Sequence, residues 1–146
     1  MRKRTVYKGK YVIASGPVII EKMKNGKGKK MFHVLLDKHG EDDFWKFPGS
    51  SVKRGESFEE CAKKRVKGEL GIDVKLIRPL KPFIIWKKDE TIILVHYLAK
   101  RRGKIKPGKH VREWGWFEIN GVLKNDKGFA PNIKPVLKEF KSSKII

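Results

Sequence analysis

Apolar positions run in short alternating or continuous stretches through most of the chain and switch to helical spacing twice. Residues 11–14 and 17–20 form the first strand candidate. Asn25-Gly26-Lys27-Gly28 is a turn signal, and 32–36 reads as the returning strand. Residues 44–47 alternate as a further strand and stop at Pro48-Gly49. Ser57 followed by Glu60 is a capping box, so a helix starts there. Phe58, Cys61, Ala62 and Val66 recur at helical spacing and face inward, while Gly71 suits the C-terminal cap. Gly68 lies inside the last turns, where glycine costs about 1 kcal/mol relative to alanine.

Strands follow at 74–77 and 83–86, with a turn at 87–90. Residues 92–98 are apolar on both faces, as in a central buried strand. A basic loop is expected over 101–109 and a last strand over 114–117. The spacing predicts a closing helix over 133–141, with Val136, Leu137 and Phe140 inward. The order of elements gives an α+β class built in layers. No repeat, linker or low-complexity tract divides the chain, so residues 1–146 are expected to form a single domain.

Composition narrows the picture. The chain carries 39% apolar residues, four Trp and eight Phe, which suffices for a packed core and argues against disorder. No apolar run approaches the ~20 residues of a membrane span. The basic start, Met1-Arg2-Lys3-Arg4, has no apolar stretch behind it, so a signal peptide is not expected and a cytoplasmic protein is. A net charge of +20 points to an anionic partner such as a nucleotide, another phosphorylated small molecule or RNA. The competing explanation is a Lys-rich, heat-adapted proteome, which the absence of Gln and the four Asn favour.

The segment 48–72, PGSSVKRGESFEECAKKRVKGELGI, resembles the Nudix box, G-x5-E-x7-R-E-U-x-E-E-x-G-U, where U is a bulky aliphatic residue. Without gaps, Glu56, Val66, Glu69, Gly71 and Ile72 match. Ser50 takes the place of the first Gly, Lys64 that of the Arg, and Arg65 and Gly68 those of two Glu. The flanks 44–49 and 129–137 look like the entry strand and closing segment of MutT-type proteins, so the resemblance covers nearly the whole chain.

The resemblance implies an α/β/α sandwich around a mixed β-sheet. It also implies Mg²⁺-dependent hydrolysis of a nucleoside diphosphate linked to another group. That chemistry uses carboxylates on one helix face, at positions held here by Arg65, Gly68 and Glu69. A guanidinium neither ligates Mg²⁺ nor acts as a base at neutral pH. The metal half of the motif is therefore degraded. Mg²⁺ binding by Glu69 and Glu56 is expected to be weak or lost, while Glu56 and Lys64 keep the charges of the family's structural Glu–Arg pair.

Three readings follow. In the first, hydrolysis is weak or lost and binding is retained, either of a phosphorylated ligand through Arg65, Lys64, Lys53, Trp45 and Asn132 or of RNA. Arg65 can grip a phosphate bidentately, and Asn132 lies one residue from the base-reading Asn of MutT-type enzymes. In the second, an active hydrolase uses Glu56, Glu69 and Glu113 as its acids, Glu113 otherwise being a solvated loop acid. In the third, the protein is a structural RNA-associated subunit that binds through Lys100, Arg101, Arg102 and Lys104. Trp45, Phe47, Trp86, Trp114 and Trp116 are candidates to stack on a base, core packing being the ordinary role of aromatic residues in strands. Cys61 reads as a buried, inert thiol. The four His show no zinc spacing, and His96, in an apolar strand, reads as a satisfied core residue.

Overall fold

The computed structural model describes residues 9–125 and 127–142, so the basic start of the chain lies outside the described residues. In chain order the elements are β1 (Lys10–Lys24), β2 (Lys30–His39), β3 (Ser50–Ser51), α1 (Phe58–Leu70), β4 (Asp73–Pro79), β5 (Phe83–Trp86), β6 (Glu90–Arg102), β7 (Val111–Glu118), α2 (Ile119–Lys124) and α3 (Ile133–Ser142). No helix among the described residues is long and apolar enough to cross a membrane.

The sheet is mixed because β1 pairs in parallel with β6 and antiparallel with β2 and, at Ala14 and Ser15, with the short β3. Its first part pairs in parallel with β6, from Lys10↔Glu90 to Ile19↔Ala99. Its last part pairs antiparallel with β2, from Ile20↔Val34 to Lys24↔Lys30. The Asn25 side chain closes the turn between them by accepting from the Lys27 and Lys29 amides. β4 and β5 add to β6, and β7 adds to β2.

Successive strand residues point to opposite faces, and here both faces are covered. Ile19, Leu35 and Ala99 pack with Val66 and Leu70 of α1. Their neighbours Val18, Val34 and Leu98 pack with Ile133, Val136, Leu137 and Phe140 of α3. The result is the expected three-layer sandwich.

α1 begins on the capping box: the Ser57 hydroxyl accepts from the Glu60 amide at 3.1 Å, and Glu60 Oε1 accepts from the Ser57 amide at 3.3 Å. Gly71 ends the helix in the left-handed region at φ 69°. Cys61, Ala62, Val66 and Leu70 are buried. Phe58, expected on the same inner face, is 39% exposed. It shares the helical spacing, but the helix buries itself through its middle and last turns.

Two further expectations change, and one helix was not foreseen. Residues 44–47 form no strand; Trp45 and Lys46 make only isolated bridges, to Phe129 and Asp37. The short helix α2 had no periodic signal. The basic stretch begins inside β6 rather than in a loop, and Arg101 forks onto Glu21 with two bonds of 2.8 Å. The rest of that stretch secures the end of α1: the Lys106 and Gly108 amides donate to the Leu70 and Glu69 carbonyls, each at 2.7 Å. These are carbonyls that a helix end otherwise leaves unpaired.

Candidate functional site

A cavity of about 560 Å³ lies between the first half of β1, the 44–51 segment, β5–β6 and residues 130–132. Its size suits a nucleotide-sized ligand. Phe44, Phe47, Ile85, Ile92 and Leu94 give it an apolar wall, while Lys46, Lys87, His39, His96 and Asn132 supply polar groups.

The 48–51 turn is fixed against β1 by two glycines passing each other. A Cβ on Gly16 would stand 1.9 Å from the Pro48 carbonyl oxygen, and one on Gly49 would stand 2.5 Å from that of Ser15. Gly49 also has φ 146°, which side chains rarely adopt. This close approach aims the Gly49 amide at α1, where it donates to Glu69 Oε1 at 3.2 Å.

Glu69 Oε2 faces β2. Leu35, Asp37 and His39 alternate on the face of β2 that looks towards α1, and the pairing of β2 with β7 shifts register between Lys38 and His39. His39 Nδ1 hydrogen-bonds Asp37 Oδ1 and stands 3.2 Å from Glu69 Oε2. One ring N–H serves one acid, and among the described residues neither Glu69 Oε2 nor Asp37 Oδ2, both buried atoms, has a hydrogen-bond partner. Asp37 is fully buried. Burial, reinforced by the Asp37 carboxylate, pushes the Glu69 carboxyl up.

Glu56 is occupied elsewhere. Its Oε1 accepts from the Lys53 amide at 2.8 Å and from Arg65 Nη2 at 3.4 Å, and Lys64 Nζ lies 3.8 Å from Oε2. The Lys53 bond, followed by the charges of Arg65, Lys64 and Lys53, holds the Glu56 carboxyl below its ordinary range despite some desolvation. Arg65 is thus the nearer cation to Glu56 and shares the pairing role read for Lys64. Glu113 pairs with Lys38 at 3.1 Å on the face of β2 away from α1. Glu56, Glu69 and Glu113 therefore do not meet in one cluster of the described residues.

Trp45 packs edge-on to Phe117 at 4.6 Å and beneath the Lys38 ammonium, against the α3-side core rather than in the cavity wall. Asn132 does line the cavity, and its Nδ2 donates to His96 Nε2 at 3.2 Å. His96 is buried with Nδ1 unpaired, so it is only half satisfied. Desolvation alone lowers its pKa to about 4, which keeps the ring neutral. Cys61 contacts the Ser50 and Ser51 carbonyls, and burial pushes its thiol up, as an inert thiol requires.

Sequence reasoning missed Asp37 and His39. The available signal was a D-x-H pair at strand spacing near the end of a strand. Spacing of the His along the chain does not reveal it, because the partner of His39 across space is on α1.

A family profile described as NUDIX domain matches residues 18–140. No curated protein matches the chain in sequence. Among solved structures, the solution structure of the E. coli ORF135 protein is similar at TM-score 0.76 and 18% identity, covering 97% of this chain and 96% of that one. The MutT protein from Methanosarcina mazei Go1 is similar at TM-score 0.75 and 18% identity, covering 95% and 99%. A C. elegans Ap4A hydrolase in a binary complex is similar at TM-score 0.73 and 21% identity, covering 90% and 96%. At these identities the likeness concerns the fold.

Proposed function

Because the chain belongs to the NUDIX domain family, we propose that its cleft binds a nucleoside diphosphate linked to another group and that its Mg²⁺-dependent hydrolysis is weak. The observation that carries this reading is the cavity of about 560 Å³ that reaches Gly49 and His39 beside a box helix that keeps, of the motif's three metal-ligand carboxylates, Glu69 alone. The apolar wall offers a face for a base. Asn132 offers an amide at one end, and Lys87 offers charge to phosphates beside Lys46, which is paired with Asp42.

Nudix hydrolases generally use a divalent metal. The donors along this helix do not fit the Mg²⁺ arrangement that the box implies. Mg²⁺ takes an octahedron of oxygens. Here Arg65 carries a guanidinium held at Glu56, Gly68 offers no side chain, and Glu69 has an imidazole nitrogen beside it. No hydrolytic step is therefore assigned to Mg²⁺ on this face.

The test is calorimetric titration of ATP and diadenosine tetraphosphate into the protein in EDTA. Binding is expected without metal, weakened about fivefold or more in Lys87→Glu and in Asn132→Leu. Binding that is absent in EDTA, or unchanged in both variants, would refute the reading.

A further inference from the structure

We infer that Asp37, His39 and Glu69 form a binding site for a first-row transition-metal dication, held between the last turn of α1 and the facing end of β2 instead of along the helix positions of Arg65 and Gly68. One donor atom from each residue lies within 4.8 Å of the others. His39 Nδ1 and Glu69 Oε2 are 3.2 Å apart. Atoms bound to one ion at ~2.1 Å stand about 3.0–3.4 Å apart.

The independent observation is Asp37. It is fully buried, yet its Oδ2 has no hydrogen-bond partner among the described residues. Buried carboxylate oxygens without partners are costly and uncommon. Buried Asp37 and largely buried Glu69 share one ring N–H and the proton that burial and the Asp37 carboxylate keep on Glu69, so neutrality there is reached only by holding protons between the acids. A dication replacing those protons would engage Nδ1 and both acids at once. Nearby cations limit the attraction without closing the site: Arg65 is engaged by Glu56, and Lys46 by Asp42 at 2.9 Å.

The donor set gives the class of metal. Mg²⁺ favours oxygen alone, whereas an imidazole with two carboxylates suits Mn²⁺, Fe²⁺, Co²⁺ or Zn²⁺. His39 also lines the cavity, so an ion there would face whatever phosphorylated ligand the cleft holds. Only that last point rests on the proposed function; the metal site itself does not.

The test is titration of Co²⁺ into chelator-stripped protein, followed by visible absorption, with no nucleotide present. A saturable d–d band displaced by Zn²⁺ is expected. Affinity should fall about tenfold or more in His39→Ala, a partly exposed position, and in Asp37→Asn, which keeps the buried shape. Zn²⁺ should raise the melting temperature where equal Mg²⁺ does not. No band, a band unchanged in His39→Ala, or equal stabilisation by Mg²⁺ would overturn the inference. Because the nucleotide titration runs in EDTA and this one runs without nucleotide, either reading can fail while the other stands.

Discussion

His39 Nδ1 stands 3.2 Å from Glu69 Oε2, which joins the end of β2 to the last turn of the box helix. The contact brings a strand residue from outside the motif to the one helix carboxylate that the motif kept. The second oxygen of Glu69 is tied to the Gly49 amide, so the acid is oriented from both sides. The precision of this placement depends on the close passage of β1 and the 48–51 turn.

That passage gives the first prediction. In Gly16→Ala the new methyl would collide with the Pro48 carbonyl, a backbone atom that cannot swing aside. The expected cost is about 3 kcal/mol. Urea unfolding should show it as a lower midpoint, and the nucleotide affinity of the folded fraction should fall as the turn shifts.

The capping box gives a smaller effect. Ser57→Ala removes the acceptor for the Glu60 amide and should cost about 1 kcal/mol. Thermal melting checks this, and the nucleotide affinity should be unchanged, because Ser57 lies at the far end of α1 from Glu69.

His96 sets part of the acid response. Its folded pKa, near 4, lies below the ordinary value of 6.5. Between those values the unfolded chain binds the proton and the folded protein does not. Stability from the neutral ring is therefore present above pH 6.5 and is lost as pH falls towards 4, by about 3 kcal/mol at most. His96→Gln keeps an acceptor for Asn132 and should flatten that limb of the stability–pH curve. An unchanged slope would mean that His96 is not buried neutral.

Local chemistry was legible in the sequence, and contacts across space were not. The Ser57–Glu60 box and the Gly71 cap concern residues close along the chain, and both form as read. Ile92 to Leu98 was readable as a central strand because both of its faces are apolar, and it lies within β6 between β1 and β4. The partner of Arg101 is Glu21, in a strand far away in sequence, so the basic run read as a free loop. Asp37 and His39 escaped notice because the register shift after Lys38 and the position of Glu69 exist only in the folded sheet. Phe58 kept its helical spacing but not its burial, since spacing assigns a face and not the depth of packing along it.

In the proposed function, loss of the carboxylates at positions 65 and 68 limits Mg²⁺-dependent hydrolysis. A Cβ on Gly68 meets nothing within 4 Å, so there is room for a side chain at that position. The double variant Arg65→Glu, Gly68→Glu should gain roughly half a kcal/mol or more in helix propensity at position 68. It should lose more than that to repulsion with Glu69 until Mg²⁺ is added. The most direct measurement is phosphate release from nucleoside triphosphates and nucleotide sugars in Mg²⁺, for parent and variant side by side. The expected result is little turnover by the parent and a clear rise in the variant, with a melting temperature that climbs with Mg²⁺ only in the variant. Rapid turnover by the parent in Mg²⁺, abolished by Glu69→Gln, would contradict the account.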